Sequence, residues 1–209
     1  MVGRFITMEG SEGVGKSTNM AFICDYLESR GVSVEMTREP GGTPIAEAIR
    51  EVVLADHDET LDPNTEVLLM FAARAVHLNN RIRPALAAGR WVVCDRFTDA
   101  TFAYQGAGRG VELGWIQRLA DQVHGDLWPD CTLLLDAPTA VGRQRALNRG
   151  APDRIEQEQA DFFDRVRGAY LARADAEPGR FQVIDATASL DDVQRDIGLV
   201  LDSLVEEFG

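Results

Sequence analysis

Short apolar runs alternate with amphipathic, helix-length segments along this chain of 209 residues. Each run is bounded by Gly, Pro, Asp or charged residues, so each run predicts a strand and each intervening segment predicts helix. Nearly continuous apolar strands belong to parallel sheets that are covered on both faces. The pattern therefore predicts one α/β domain, residues 1–209, with a five-stranded parallel sheet flanked by helices. The five predicted strands are Phe5 to Met8, Val32 to Met36, Trp91 to Cys94, Leu133 to Leu135 and Phe181 to Ile184.

The longest helical pattern runs from about Pro63 to Ala88 and is stopped by Gly89. Proline cannot donate a backbone hydrogen bond, so we expect Pro84 to kink or divide this helix. A polar stretch at about 148–159 contains glycine, proline and several charges, and it predicts a short lid between two helices.

Composition and charge narrow the possible partners. The chain is 45% hydrophobic and 26% charged, which is typical of soluble globular proteins. Its net charge of −13 argues against nucleic acid as a partner, and it means that any anionic ligand needs a local cluster of arginines. Three dispersed cysteines, the lack of a long apolar run and an N-terminus unlike a signal peptide favour a cytoplasmic protein without a membrane segment.

A glycine-rich motif follows the first predicted strand and precedes a predicted helix that begins near Thr18. It matches G-x-x-x-x-G-K-[ST], whose backbone N–H groups cradle nucleotide phosphates at a helix N-terminus. In this motif the lysine bridges the β- and γ-phosphates and the following hydroxyl contacts Mg²⁺. The alternative, a turn that binds nothing, would not require strand, loop and helix in this order. The motif consists of Gly10, Ser11, Glu12, Gly13, Val14, Gly15, Lys16 and Ser17.

Further polar clusters follow the second and third predicted strands. Arg38 to Thr43 comes after the second strand, Asp95 to Phe97 ends the third, and Tyr104 to Gly106 follows shortly after. The carboxyl ends of parallel strands line the binding crevice of an open sheet. All three clusters are therefore expected to face the P-loop and to form the site of a phosphate acceptor.

Six motifs in this order resemble the thymidylate kinase family, in its bacterial branch, along nearly the whole chain. The resemblance implies a P-loop NTPase fold and the ATP- and Mg²⁺-dependent phosphorylation of dTMP to dTDP, in dTTP synthesis. It also implies a homodimer, to which the apolar segment around Val67 to Leu78 could contribute. The matching segments are Glu9 to Ser17, Thr37 to Thr43, Leu69 to Arg74, Asp95 to Phe97, Tyr104 to Gly106 and Asp153 to Gln157.

The resemblance also implies roles for individual residues. Arg38 and Arg96 would clamp the dTMP phosphate, since a guanidinium can grip two oxygens at once. Asp95 would lie near the Mg²⁺ ion, with a helix-capping role as the alternative. The remaining implied contacts are Phe71 stacking on thymine, Arg74 at its carbonyl edge, Thr101 and Gln105 at the base, Tyr104 beside the ribose 2′ position and Glu12 at the 3′-OH.

Catalysis by such a site needs no general base, because the attacking phosphate oxygen is already ionised at neutral pH. It rests on positioning and charge neutralisation. The P-loop carries no basic residue before Lys16, so Arg149, Arg154 or both are expected to supply positive charge from the lid, as they do in the bacterial branch. The three histidines, His57, His77 and His124, are expected to be surface or packing residues.

Three rival classes are tested by the sequence itself. Another nucleoside monophosphate or metabolite kinase would share the P-loop and the strand-end arginines, and only the residues at the base argue against it. A GTP-dependent switch would carry Asn-Lys-x-Asp and Asp-x-x-Gly motifs, which this chain lacks. An inactive paralogue would be expected to have lost Lys16, Asp95 or Arg96, and all three are present.

Overall fold

The computed structural model describes residues 3–146 and 153–208. Five strands form one parallel sheet in the order β2-β3-β1-β4-β5, as the apolar pattern predicts. All five begin and end within two residues of the predicted bounds, and the largest shift of a whole strand is in β2, which begins and ends two residues later. The strands are β1 (Phe5–Glu9), β2 (Val34–Arg38), β3 (Trp91–Asp95), β4 (Cys131–Asp136) and β5 (Phe181–Asp185).

Helices connect the strands and cover both faces of the sheet. Two π-helical segments occur within the helical connections, Leu78–Ile82 before α4 and Phe102–Gly108 after α5. The α-helices are α1 (Lys16–Ser29), α2 (Pro44–Leu54), α3 (Pro63–His77), α4 (Arg83–Ala87), α5 (Thr98–Thr101), α6 (Leu113–Val123), α7 (Thr139–Ala146), α8 (Ala160–Ala176) and α9 (Leu190–Phe208).

The predicted long helix is divided, as expected, just before Pro84. It consists of α3, the first π-helical segment and α4. The N–H of Arg83 donates to the carbonyl of Leu78, five residues back, so the chain makes a wider turn where the proline has no hydrogen to donate. At the other end, the Asp62 side chain accepts from the N–H groups of Asn64 and Thr65 and caps α3.

The core lies on both sides of β1, whose five residues are all buried. Ile6 and Met8 pack against α1 and α9, where Ile23 and Leu201 are fully buried. Phe5 faces the opposite side and packs in the cluster that contains Leu78. Each such side chain stabilises the fold by about 1.5–3 kcal/mol.

The strand register brings the polar strand ends together. Met8 of β1 and Arg38 of β2 are both in register with Asp95 of β3, so these three neighbouring strands end within one residue of the same level. The P-loop follows directly from β1 at that edge. Within the described residues no helix is long and apolar enough to cross a membrane.

Candidate active site

A cavity of about 280 Å³ lies at the carboxyl ends of β1, β2 and β3. Its wall combines the P-loop, the ends of two strands, one face each of α2 and α3, the segment 95–105 and the described part of the predicted lid. The residues that line it include Glu12, Lys16, Ser17, Arg38, Arg50, Met70, Arg74, Asp95, Arg96, Thr101, Tyr104, Gln105, Asp153 and Ile155.

The P-loop has the tight backbone that phosphate binding requires. Gly13 has φ +75°, and a Cβ there would lie 1.8 Å from the carbonyl oxygen of Gly142, so only glycine fits. Helix α1 begins at Lys16, whose Nζ donates to the carbonyls of Gly10 (3.2 Å) and Ser11 (3.0 Å). Burial lowers the pKa of this ammonium. The first turn of α1 therefore presents amide hydrogens and a lysine to the cavity.

One carboxylate oxygen at this edge fits a hard cation. Asp95 Oδ1 is buried and has no hydrogen-bond partner in the described part of the chain. Asp95 and Ser17 line the same cavity, and Ser17 is exposed. No cluster of three or more metal-binding side chains exists among the described residues. This combination suits Mg²⁺, which takes one or two protein ligands and completes its shell with water and phosphate oxygens.

Arg96 is held from several sides in an unusual backbone conformation. It is the only non-glycine residue with positive φ (+70°) in the part of the chain that the structure describes. Its Nη1 donates to the Gly10 carbonyl at 2.9 Å and to Tyr170 Oη at 3.1 Å. Tyr170 Oη in turn donates to Glu9 Oε2 at 2.6 Å, and Glu9 Oε1 accepts from the N–H of Phe97 at 2.7 Å. Glu9 and Tyr170 thus hold the strained residue through its side chain and through the N–H of the residue that follows it.

The other terminal nitrogen of Arg96, Nη2, contacts Tyr104 and Glu12. Arg96 Nη2 donates to Tyr104 Oη at 2.8 Å, and it also forms an ion pair with the Glu12 carboxylate. Tyr104 Oη donates to the same carboxylate at 3.0 Å. Burial raises the pKa of Tyr104 well above its usual range, so the phenol keeps its hydrogen and acts as this donor.

Arg38 and Arg50 supply further positive charge to the cavity. Arg38 is 52% exposed and pairs with Glu47 Oε2 at 2.7 Å, and this bond is the main cause of the lowered pKa of Glu47. Arg50 Nη1 donates to the Pro40 carbonyl at 3.0 Å. Burial and the nearby Arg38 lower the pKa of Arg50.

Arg74 and Thr101 lie together on a buried wall of the cavity. Arg74 is 3% exposed, and its Nε donates to Glu39 Oε2 at 2.7 Å. Its Nη2 donates to Thr101 Oγ1 at 3.1 Å. Its Nη1 is buried without a hydrogen-bond partner among the described residues. A buried donor without a partner is costly, and it marks the place where an acceptor on a ligand would bind.

Gln105 is oriented by a buried carboxylate. Glu66 of α3 is 1% exposed, and its Oε1 accepts from Gln105 Nε2 at 2.7 Å. Its other oxygen pairs with Arg154, whose Nε donates to the Val53 carbonyl at 3.0 Å. The Arg154 side chain is therefore bound within the protein, and it is not among the residues that line the cavity. Arg149 lies outside the described residues.

Phe71 lies behind the cavity wall. It packs with Val67, Phe102 and Ile116, and its ring lies 4.8 Å from the Arg74 guanidinium carbon. Met70 lines the cavity in its place. Adjacent helical residues point about 100° apart, so the spacing of Phe71 and Arg74 does not decide which neighbour reaches the cavity. The stacking role predicted for Phe71 gains no support from this arrangement.

Several site residues were not identified from the sequence. Arg50 follows Glu47 by three residues and precedes Leu54 by four, so helical periodicity on α2 could have indicated a shared face. Glu9, Glu39 and Met70 lie within the matching segments, but no role was predicted for them. Glu66, His77 and Tyr170 had no local signal, because each is brought to the site by a contact between distant segments.

The histidines take the surface or packing positions expected of them. His77 and His124 are buried, whereas His57 is exposed. The cysteines are free thiols, with Cys94 and Cys131 buried. His77 differs from the expectation in one respect, because its ring is hydrogen-bonded to Glu39 beside the cavity.

A P-loop next to a small, arginine-rich cavity with a buried recognition wall defines a P-loop kinase that acts on a small phosphorylated acceptor. A family model described as thymidylate kinase matches residues 8–197. The chain therefore belongs to the thymidylate kinase family, as its six motifs indicate. This family uses ATP as the phosphoryl donor and converts dTMP to dTDP.

Individual relatives agree with the family model. The chain is 60% identical over 197 residues to a thymidylate kinase of Chromohalobacter salexigens, covering 93% of each chain. It is 55% identical over 206 residues to that of Pseudomonas syringae pv. tomato, covering 99% of this chain and 98% of the relative. A crystal structure of thymidylate kinase from Ehrlichia chaffeensis matches with a TM-score of 0.78 and 33% identity, covering 97% of this chain and 99% of that one.

Proposed function

We propose that the chain phosphorylates dTMP by in-line transfer from ATP, with a dTMP phosphate oxygen as the nucleophile and no general base. The observation that carries this proposal is the buried, unpartnered Nη1 of Arg74 in a cavity that also contains the P-loop. A thymine carbonyl is an acceptor for that donor, whereas the amino group of cytosine is not. The acceptor phosphate then lies toward Arg38 and Arg96.

The other contacts of the nucleotide follow from the same orientation. Thr101 and Gln105 contact the base, and Met70 supplies an apolar surface to its ring. Tyr104 and Glu12 border the deoxyribose, the former at the 2′ position and the latter at the 3′-OH. Phe71 supports the Arg74 guanidinium from behind by a cation–π contact.

Charge on the transferred group is met by several fixed groups. Lys16 contacts the ATP phosphates, and the P-loop segment Gly10 to Thr18 holds them through its amides. When bound by Ser17 and Asp95, Mg²⁺ neutralises the negative charge of the phosphates. Because Arg154 is anchored to Glu66 and Val53, we assign the transition-state role of a lid arginine to Arg149.

We further propose a cytoplasmic homodimer. Leu68 of α3 is 51% exposed, and Ala72, one turn later, is also exposed, so part of the apolar segment Val67 to Leu78 is accessible to a second copy. The other large apolar residues of this segment pack mainly in the core of the chain itself.

A coupled assay tests the proposed acceptor. With ATP and a panel of dTMP, dUMP, dCMP, UMP and AMP, we expect the highest kcat/KM for dTMP. Arg74→Ala should weaken dTMP recognition by about 1.5–3 kcal/mol, the value of a charge-assisted hydrogen bond, and should leave the KM for ATP nearly unchanged. A higher kcat/KM for dCMP, UMP or AMP than for dTMP would refute the assignment of the base side.

A further inference from the structure

A chain of buried hydrogen bonds runs from the end of β2 to the Arg74 guanidinium. Thr37 Oγ1 lies 2.6 Å from His77 Nε2, and His77 Nδ1 lies 3.0 Å from Glu39 Oε1. Glu39 Oε2 then accepts from Arg74 Nε at 2.7 Å. All four side chains belong to residues that are buried to more than nine-tenths. The three segments that carry them, β2, the residue after it and α3, are therefore joined through one imidazole and one carboxylate.

The positions of the hydrogens follow from the chemistry of the partners. The Glu39 carboxylate, paired with Arg74, can only accept, so His77 Nδ1 must carry the hydrogen that is donated to Oε1. Thr37 Oγ1 can be either donor or acceptor, so it pairs with Nε2 in either protonation state, and it is the donor when Nδ1 carries the only ring hydrogen. The imidazole is thus held at both nitrogens, and a rotation of the ring by about 180° about its Cβ–Cγ bond would break both hydrogen bonds.

This arrangement determines the direction of the Arg74 donors. Glu39 fixes Nε and Thr101 fixes Nη2, so the position of the unpartnered Nη1 depends on where the Glu39 carboxylate is held. We propose that His77 is a positioning residue for base recognition. Its Nδ1 hydrogen holds Glu39, and Glu39 turns Arg74 Nη1 toward the carbonyl edge of the pyrimidine. This inference rests on the proposed role of Arg74.

Gly42 provides an independent observation at the same place. Its φ is +84°, and a Cβ at this position would lie 2.5 Å from His77 Nε2 and 2.6 Å from Thr37 Oγ1. Positive φ and close approach both require glycine here. The second glycine of the Arg38 to Thr43 motif therefore leaves room for the bond between imidazole and threonine, and the motif and His77 form one structural unit.

Three substitutions distinguish the contribution of His77 Nδ1 from that of Nε2. The amide nitrogen of Asn takes the position of Nδ1, the longer Gln reaches the position of Nε2, and Leu removes both groups. The measured quantity is the ratio of kcat/KM for dTMP to that for dCMP, because a donor aimed at the base edge favours a carbonyl over an amino group. We expect this ratio to fall about tenfold or more in His77→Leu and His77→Gln, as for loss of one charge-assisted bond. In His77→Asn it should stay within about threefold of the parent value.

Two controls make the outcome decisive. Leu201→Ala removes fully buried apolar contacts on α9, in the core cluster shared with α1, and shows whether lost stability alone changes the ratio. Arg74→Ala tests the role on which the inference rests. If Arg74→Ala lowers the ratio but His77→Leu does not, the role of His77 is refuted alone. If Arg74→Ala has no effect, the proposed role of Arg74 fails as well.

Folding is checked for every variant by thermal melting. Should His77→Leu fail to fold, the Asn and Gln variants decide the question. Equal ratios in these two variants would overturn the proposal, because a packing role does not distinguish the two nitrogens. A KM for ATP that stays constant across the series places the effect at the acceptor.

Discussion

Arg74 and Arg38 line the same cavity, yet their side chains are 3% and 52% exposed, respectively. Arg74 is bound to Glu39 and Thr101 on what we call the base side, together with Gln105 and its partner Glu66. There the protein already supplies nearly all partners, and a ligand adds the one that is missing. With the role proposed for Arg74, recognition on this side is prepared before binding.

On the phosphate side, defined by Arg38, Arg96 and their partners, the arginines are paired with carboxylates of the protein. Arg38 contacts Glu47, and Arg96 contacts Glu12. A bound phosphate adds negative charge next to these carboxylates, so it must replace or repel them. The free energy gained on binding is then the difference between the arginine–phosphate pair that forms and the arginine–carboxylate pair that is lost. This difference is small where the arginine is partly exposed to solvent. Under the proposed binding mode, the base side therefore selects the nucleotide, and the phosphate side exchanges protein carboxylates for the phosphate of the ligand.

The largest expected effect concerns the arginine that meets the transferred phosphoryl group. In Arg149→Ala, single-turnover transfer should slow by on the order of 10³–10⁵, the value of a transition-state arginine in related reactions. Arg154→Ala should instead raise the KM for dTMP with little change in kcat, because Arg154 supports Glu66 and hence Gln105. A large loss of kcat in Arg154→Ala would show that this arginine leaves Glu66 during the reaction.

The sequence alone predicted those features that depend on local pattern. Each strand is a continuous apolar run, and the P-loop is a contiguous motif whose flanking strand and helix are also local. Arg38 and Asp95 were predicted to meet because the ends of parallel strands are aligned, and the register confirms it. The family and the reaction followed from motifs of this kind.

Features that depend on contacts between distant segments could not be predicted. Glu39 and His77 are separated by 38 residues, and only the packing of α3 beside the end of β2 brings them together. The ion pair between Arg154 and Glu66 belongs to the same class, because nothing near Arg154 in the sequence indicates that it contacts this buried carboxylate. The choice between Met70 and Phe71 depended on the rotation of α3, which an apolar run does not define.

A second prediction concerns how the free energy of unfolding depends on pH through Glu9, which is hydrogen-bonded to Tyr170 beside Arg96 on the phosphate side. Burial raises the pKa of the Glu9 carboxyl from 4.5 to about 7, and the nearby Asp99 adds to the shift. The folded state therefore binds this proton more tightly than the unfolded chain. The resulting stability is fully present below pH 4.5 and is lost as the pH rises through about 7.

Glu9→Gln removes this titration. Its one amide oxygen accepts from the N–H of Phe97, and its amide nitrogen faces Tyr170 Oη as a donor, as the hydroxyl of the protonated acid would. Between pH 4.5 and pH 7.5 the free energy of unfolding of this variant should increase relative to the parent by on the order of 3 kcal/mol. Urea denaturation at several pH values measures the difference, in which the titration of other groups cancels. Parallel curves for the two proteins would mean that Glu9 has an ordinary pKa in the folded state.

The smallest expected effects come from a matched pair of substitutions, one on the base side and one on the phosphate side. This pair is also the most direct test of the difference between the two sides. Glu39→Gln and Glu47→Gln each neutralise the carboxylate that pairs with one cavity arginine. Glu39→Gln leaves the buried Arg74 without a counter-ion and places an amide nitrogen against a donor of Arg74 or His77. It should lower kcat/KM for dTMP by at least tenfold, about 1.4 kcal/mol.

Glu47→Gln should act in the opposite direction. Its amide oxygen can still accept from the N–H of Gly42, which lies 2.8 Å from Glu47 Oε1, so the loop before α2 keeps its bond. Arg38 loses a half-exposed ion pair worth about 1 kcal/mol or less, and its guanidinium becomes available to the dTMP phosphate. The KM for dTMP should therefore stay equal or fall by up to about fivefold, and the fall should be greatest at low salt. A KM that rises as much as in Glu39→Gln would show that Glu47 holds Arg38 in the orientation that binds phosphate. The phosphate side would then be prepared in advance, as the base side is.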